Sequence, residues 1–250
     1  MFIVFKIEIK SYYLAKLLHL LIYNLIMKHL TLIIPAKNES ESLPTVLNEL
    51  KNYKYKIDIV LKDSDIKTIE SIKDYDINII YQKNLGYGDA IIEGINNCRT
   101  EFFCIFNADG SFNPAEIDNM FKSMQARELD FIFASRYEPN SGSDDDTTLT
   151  LIGNYIFSYI GKIFFRLNIT DILYTFLIGN TSKAKKLNLS QKDFSLCVEL
   201  PIKVKKNRMK FGCINSFERK RIAGKKKVNA FKDGFLILCH MIKLFFNKSL

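Results

Sequence analysis

Phe102-Phe103-Cys104-Ile105-Phe106-Asn107-Ala108-Asp109-Gly110-Ser111 is an apolar run of five residues that passes directly into a short polar turn. With no polar residue on either face, the run has the pattern of a strand buried on both sides in a largely parallel sheet. In open α/β sheets, ligands bind just beyond the carboxyl ends of such strands. Asp109 therefore stands where a hard cation, or a phosphate held through one, would bind. Asp-Gly is also a common turn pair, so this stretch alone leaves a plain turn open. The upstream stretches decide for a site.

Three more β-type runs precede it, each ending in a polar loop. Leu30 to Ile34 ends at Pro35 and leads into Ala36-Lys37-Asn38-Glu39, then apolar residues at helical spacing, Leu43, Val46, Leu47 and Leu50. Ile57 to Leu61 runs into Lys62-Asp63-Ser64-Asp65. Ile77 to Tyr81 leads to Asn84-Leu85-Gly86-Tyr87-Gly88-Asp89-Ala90 and a helix containing Ile91, Ile92 and Ile95. Strands alternating with helices make a mostly parallel sheet whose polar loops share one edge. The residue types in those loops suit a nucleotide. Asn38 and Glu39 offer an amide and a carboxylate to a ribose or base edge, and Asp63 or Asp65 can accept from a nucleobase N–H. Gly86 and Gly88 let backbone approach a ligand near a helix start. Asp109 is an oxygen ligand for Mg²⁺ or Mn²⁺.

The 250 residues suffice for one α/β domain with short appendages, and 48% hydrophobic and 25% charged content is that of an ordinary globular chain. The five cysteines form no CxxC pair and read as reduced, buried side chains, so no disulfide framework or zinc site is expected. Of the net charge of +9, much is concentrated between Lys203 and Lys227, where eleven Lys or Arg accompany the lone acid Glu218. Such a block suits phosphates, nucleic acid or an anionic membrane surface, or simply a solvated face. Residues 1–29 form an apolar extension. Tyr12 to Met27 is interrupted by Lys16, His19 and Asn24, too impure for a membrane span, with no signal-cleavage site. It reads either as an interfacial amphipathic helix or as sequence upstream of a true start at Met27. The domain is expected over 30–230, with a second amphipathic helix over 231–250.

The order of these motifs resembles the family 2 glycosyltransferases of the GT-A fold. Leu32-Ile33-Ile34-Pro35-Ala36-Lys37-Asn38-Glu39 is similar to the family's opening strand and loop, and Lys62-Asp63-Ser64-Asp65 to a shortened nucleobase loop. Asn107-Ala108-Asp109 falls where the Asp-x-Asp metal motif is expected. Ala134-Ser135-Arg136-Tyr137, Asp171 with Phe176, Glu199-Leu200, and Arg221-Ile222-Ala223-Gly224-Lys225-Lys226-Lys227 resemble motifs of the polyprenyl-phosphate sugar transferase branch that includes dolichyl-phosphate mannose synthase. Three departures stand out. Asn107 replaces the first metal-motif acid, and Lys62 replaces the first acid of the nucleobase loop. Glu138 to Gly161 lacks the acceptor-phosphate arginine and carries Asp144-Asp145-Asp146 instead. That triplet reads either as a flexible solvated loop or as a cluster needing a cation beside an acceptor phosphate.

The resemblance implies an enzyme that moves a sugar from a nucleotide-diphosphate sugar to a polyprenyl-phosphate or glycan acceptor, with inversion, at the cytoplasmic face of a membrane. It places the nucleotide on Pro35, Ala36, Asn38, Glu39, Asp63, Gly86, Gly88, Asp89, Ala90 and Asn107. The metal falls to Asp109, and the diphosphate or acceptor to Arg136, Arg221, Lys225 and Lys227. A hydroxyl acceptor would need a general base, Asp171 first and Glu199 second. Peripheral membrane contact is expected, and no nucleic-acid partner. Ile152 to Leu167 reads as an apolar helix packed on the core or on lipid, with Phe157, Tyr159, Phe164 and Phe165 read as core rather than as a substrate cage. A non-catalytic membrane- or nucleic-acid-binding module and a nucleotidyltransferase remain alternatives; the latter would carry a glycine- and arginine-rich loop after the first strand.

Overall fold

The computed structural model describes residues 29–224 and 228–247. The 1–28 extension and Lys225 to Lys227 lie outside the described residues. Four strands run in the expected places: β1 (Leu30–Pro35), β2 (Lys56–Leu61), β3 (Asn78–Tyr81) and β4 (Phe102–Ile105). β5 (Phe131–Ser135), β7 (Leu177–Asn180) and β8 (Phe211–Asn215) complete a seven-stranded sheet of order β3-β2-β1-β4-β7-β5-β8. All neighbouring pairs are parallel except those of β7, which lies antiparallel between β4 and β5. A two-residue pair, β6 (Gly142–Ser143) beside β9 (Phe217–Glu218), forms a separate parallel ribbon.

Helices cover both faces of the sheet. On one side α1 (Leu43–Leu50) and α4 (Ala115–Ala126) close a core that includes Leu32, Ile34, Phe106, Phe112 and Phe176. The short α2 (Ile66–Ser71) sits beside α1. On the other side, α3 (Tyr87–Asn97), α6 (Thr181–Lys186) and α7 (Leu196–Lys206) pack over Ile33, Phe103, Ile105 and Phe131. The β4 run is buried on both faces because each face meets one of these cores.

Two further helices bring apolar residues to the surface. α5 (Thr148–Phe165) starts at a Thr147/Thr150 capping box and buries Asn154, Ser158, Gly161 and Phe165. Its outer face carries Leu149, Ile152, Ile156, Tyr159 and Ile163, each at least half exposed, in alternating steps of three and four. Of the two readings of this helix, packed on the core or turned to lipid, Phe165 follows the first and is buried, while Tyr159 and Phe164 are exposed. α8 (Ala230–Phe246) packs on α5 and α7 through Ile237, His240, Met241 and Leu244. Its other face again exposes apolar residues, Phe231, Phe235, Leu238, Ile242 and Phe245. The expected C-terminal helix is thus apolar on both faces, and the Phe164 and Phe245 rings meet edge-on at 5.5 Å to join the two surfaces. No helix among the described residues is long and apolar enough to cross a membrane. Of the cysteines expected to be buried, Cys98 and Cys104 are, Cys197 and Cys213 are half-buried, and Cys239 is exposed.

Candidate active site

The carboxyl ends of β1 to β4 open into one cleft of about 500 Å³. Its lining takes Pro35 to Glu39 from β1, Lys62, Ser64 and Asp65 from β2, Gln82 and Leu85 to Tyr87 from β3, and Asn107 to Asp109 from β4. The far wall is built by Arg136, Asp145, Asp146, Thr150, Asn154, Glu218 and Arg221. The β1 and β2 loops are tied together. Asn38 adopts a left-handed φ of 53° and donates its backbone N–H to Asp65 Oδ2 at 2.7 Å. Glu39 accepts from Ser42 Oγ at 2.7 Å, and its own N–H reaches Thr68 Oγ1. Asp65, rather than Asp63, is the acid of this loop that reaches the cleft.

The glycine segment has a different role from the one its sequence suggests. A Cβ on Gly86, at φ +126°, would lie 1.9 Å from Lys192 O, and one on Gly88 would lie 2.2 Å from Gln191 O. These glycines admit a second backbone, the 190–193 loop; Gly86 also lines the cleft, whereas Gly88 does not. Asp89 is buried, accepting from Asn84 N–H and Nδ2 and donating its own N–H to Lys192 O, so it shapes the loop without lining the cleft. Glu199 completes this support. Fully buried on α7, it accepts from Ser190 N–H and Oγ, Gln191 N–H and Lys203 Nζ. Burial would raise its pKa, but the Gln191 and Ser190 donors and Lys203 outweigh it and the net shift is downward. Glu199 anchors a loop and has no path to a substrate hydroxyl.

Arg136 and Asp171 form the second buried cluster. Arg136 donates Nε to Asp171 Oδ2 at 2.7 Å, Nη2 to Oδ1 at 2.9 Å, and its backbone N–H to Oδ2 at 3.0 Å. Asn154 Nδ2 also donates to Asp171. The Asp171 side chain is wholly buried beneath the cleft, committed to orienting Arg136, and is not placed as a base. Arg136 Nη1 continues to Glu218 at 2.9 Å, with Asp146 at 3.9 Å, and the guanidinium lies 4.6 Å from the Tyr174 ring centre. Burial works against its charge, yet Asp171 and Glu218 raise its pKa and keep it protonated. Asp146 shows the converse balance. Burial raises its pKa, but bonds from Thr150 and Tyr137 and the Arg136 charge bring it below the usual range.

The aspartate triplet is neither a loose loop nor a bare anionic patch. Asp145 accepts Arg221 Nη2 at 2.6 Å and Nε at 3.2 Å, and Asp146 accepts from Tyr137 and Thr150. Arg221 also reaches Asp109 Oδ2 through Nη1 at 3.3 Å. Its segment is sewn to the Asp109 turn by Ile222 N–H to Asp109 O and Arg219 N–H to Ser111 O, both 2.8 Å. Gly110, at φ +81°, is needed because a Cβ there would strike Ile222 Cδ1 at 2.4 Å. Cys197, at the edge of the cleft, has its thiol pushed up to about 12 by burial, which disfavours the thiolate.

Six carboxylates line the cleft (Glu39, Asp65, Asp109, Asp145, Asp146, Glu218) against four described cations (Lys37, Lys62, Arg136, Arg221). A diphosphate entering this surplus of negative charge calls for an accompanying cation. Among the described residues no group of three or more His, Cys, Asp or Glu could hold a metal. Asp109, however, faces a cation already, the Arg221 guanidinium. Asn107 donates Nδ2 to Ser111 Oγ at 3.2 Å, which leaves Oδ1 as a neutral oxygen beside Asp109. These residues fit an ion held by one carboxylate, with its other positions left to phosphate oxygens and water, as Mg²⁺ prefers.

A cleft of this form, at the carboxyl edge of a mostly parallel sheet, is that of a GT-A glycosyltransferase. The sequence model of Glycosyl transferase family 2 matches residues 31–187, and the chain belongs to that family. One relative is the UDP-N-acetylglucosamine--dolichyl-phosphate N-acetylglucosaminyltransferase of Methanococcus voltae, 25% identical over 209 residues, 74% of this chain and 83% of that protein. Among solved structures, the fold matches glucosyl-3-phosphoglycerate synthase from Mycobacterium tuberculosis, in complex with Mn²⁺, UDP and glucosyl-3-phosphoglycerate. The TM-score is 0.67 at 9% identity, covering 87% of this chain and 80% of that one. Mannosyl-3-phosphoglycerate synthase from Rubrobacter xylanophilus matches with a TM-score of 0.63 at 11% identity, covering 86% and 72%.

Proposed function

We propose that this family 2 glycosyltransferase moves a sugar from a nucleoside diphosphate sugar to a polyprenyl phosphate at the cytoplasmic face of a membrane, with inversion. The observation that carries the acceptor is the course of α5. Its Thr150 and Asn154 line the cleft, while Leu149, Ile152, Ile156, Tyr159 and Ile163 form an exposed apolar stripe running away from it. Together with the exposed face of α8, this stripe offers a lipid chain or an acyl interface a surface that begins at the site. Arg208 and Lys220, exposed members of the basic stretch, suit anionic headgroups. Nucleic acid plays no part in this reading.

The donor lies with its nucleoside over Pro35 to Glu39, Lys62 and Asp65, and its diphosphate toward Asp109. A bound Mg²⁺ or Mn²⁺ would supply positive charge to the departing diphosphate. Asp109 holds that charge in place, and Arg221 adds a fixed guanidinium on the same side. The acceptor phosphate oxygen attacks the anomeric carbon as the bond to the diphosphate oxygen breaks, so a single displacement inverts that centre. A phosphate acceptor is already ionised and requires no base. That agrees with the placement of Asp171 and Glu199, both committed to neighbours.

The test is transfer from UDP-, GDP- and CDP-sugars to a short-chain polyprenyl phosphate in anionic vesicles with Mn²⁺, read as radiolabelled sugar in the organic extract. Labelled glycolipid is expected, and Asp109→Ala should reduce it about 10²-fold or more. Transfer only to water-soluble acceptors would overturn the lipid assignment, and no transfer with any donor would overturn the donor site. Membrane contact is checked separately by flotation. The Ile156→Asp/Phe235→Asp double variant should bind vesicles about tenfold or more weakly, because each buried large apolar side chain contributes about 1.5–3 kcal/mol. Equal flotation of both proteins would remove α5 and α8 from the interface.

A further inference from the structure

We propose that Arg221 keeps the metal position at Asp109 closed until a nucleoside diphosphate arrives, so that the donor nucleotide binds before the divalent cation. The inference rests on the reading of the cleft as a nucleoside diphosphate sugar site. It concerns the order in which that site fills.

Asp109 is less open to a cation than its place in the cleft suggests. Its Oδ1 accepts the Ser111 backbone N–H at 3.0 Å, and its Oδ2 lies 3.3 Å from Arg221 Nη1. Asn107 beside it can add a neutral oxygen but no charge. The carboxylate is thus balanced by a guanidinium, which keeps its proton at any working pH. A divalent ion on the same carboxylate would stand next to that fixed positive charge, and the two would repel. The Asp109 side chain is 15% exposed and that of Arg221 20%, so water screens the repulsion incompletely.

The guanidinium is held where it stands. Asp145 takes its Nη2 at 2.6 Å and its Nε at 3.2 Å. The chain beneath it is fixed as well, by Ile222 N–H on Asp109 O and Arg219 N–H on Ser111 O. Arg219 adds a two-pronged pair with Glu49 and a bond to Phe112 O. What can change is the partner of Arg221 Nη1. A diphosphate oxygen beside Asp109 offers Nη1 a charge-assisted hydrogen bond in place of a 3.3 Å ion pair. Asp109 Oδ2 is then released, and with the phosphate oxygens it forms the oxygen set that Mg²⁺ or Mn²⁺ takes. No covalent bond changes. By linkage, the nucleotide tightens the metal and the metal tightens the nucleotide by the same factor.

The experiment measures Mn²⁺ bound to the full chain by electron paramagnetic resonance, with and without UDP, GDP or CDP. Binding that persists in Asp109→Ala is subtracted, and nucleotide affinity in EDTA is read by calorimetry. One of the nucleotides should bind in EDTA, and the parent should take up Mn²⁺ at Asp109 only with that nucleotide present. Without nucleotide, Arg221→Gln should bind Mn²⁺ at least about tenfold more tightly than the parent. Arg221→Lys loses the same two-pronged contact with Asp145 but keeps the charge, and should stay as closed as the parent. An equal gain in both variants would mean a loosened loop and would overturn the role of the charge. Mn²⁺ bound at Asp109 as tightly without nucleotide as with it, no gain in Arg221→Gln, or a nucleotide that binds only with Mn²⁺ overturns the order and leaves the donor site intact. Failure of every nucleotide to bind under either condition overturns both.

Discussion

Replacing Arg136 with Met is expected to destabilise the enzyme by about 3–5 kcal/mol, the cost of stranding the partner of a buried ion pair. Asp171 has no exposed side-chain surface and accepts three bonds from Arg136, so the substitution leaves a carboxylate in the interior with Asn154 Nδ2 and the residue-136 backbone N–H as its donors among the described residues. The backbone N–H of residue 136 survives the change, but the two guanidinium bonds do not. Glu218 loses its arginine as well and, among the described residues, keeps the hydrogen bond from Ser143 Oγ. Urea unfolding measures the effect. At this chain length the thermal midpoint should fall by about 10 °C. The paired variant Arg136→Met/Asp171→Asn should be less damaging than the two single changes combined, since it removes both charges. A single variant within about 1 kcal/mol of the parent would mean that Asp171 is not held as the geometry indicates.

The first half of the fold was legible because its signals are local. Each of β1 to β4 is a short apolar run beside a polar loop, and helical spacing follows at once. β7 was not legible. Leu177–Asn180 is four residues long, and nothing in it says that it runs antiparallel between β4 and β5, which are remote from it in sequence. The exposure of α5 and α8 was hidden for another reason. Both helices are apolar around most of their circumference, so periodicity cannot say which stripe faces the sheet and which faces outward.

At the site, residue identity served better than residue role. Pro35, Ala36, Asn38, Glu39, Gly86, Ala90, Asn107, Asp109, Arg136 and Arg221 do line one cleft. Asp171 and Glu199 were singled out as acids and turned out to be the supports of an arginine and a loop. A carboxylate held by several donors and one free to take a proton look alike in one dimension. The Arg136–Asp171 and Arg136–Glu218 pairs join residues 35 and 82 apart in sequence. A usable clue existed for Glu218, the lone acid in a block of eleven cations, where a solitary carboxylate is well placed to be an arginine's partner. For Asp145 and Asp146 the clue was Thr147, whose capping of α5 fixes the chain just after the triplet.

The Gly86→Ala variant should lose nucleotide binding and much of its stability together. Gly86 sits at φ 126° and ψ 152°, a region essentially reserved for glycine, and forcing alanine there costs about 1–3 kcal/mol before any collision is counted. The added Cβ would also lie 1.9 Å from Lys192 O and 2.9 Å from Lys192 C, so one loop must leave the other. Relief is hard to find on either side. The 84–89 loop is bound to buried Asp89, and the 190–193 loop is bound to buried Glu199. Tyr87 links the two by stacking on Phe194 at 5.1 Å and bonding Thr175 Oγ1. Displacing either loop moves Leu85, Gly86 and Tyr87, which wall the outer end of the cleft. Gly153→Ala is the matched control. It lies inside α5 with nothing within 4 Å of the added Cβ, and alanine should there stabilise by about 0.5–1 kcal/mol. Urea unfolding and UDP titration of both variants separate the cases. If Gly86→Ala keeps parental stability and UDP affinity, the contact between the two loops is not what builds the donor cleft.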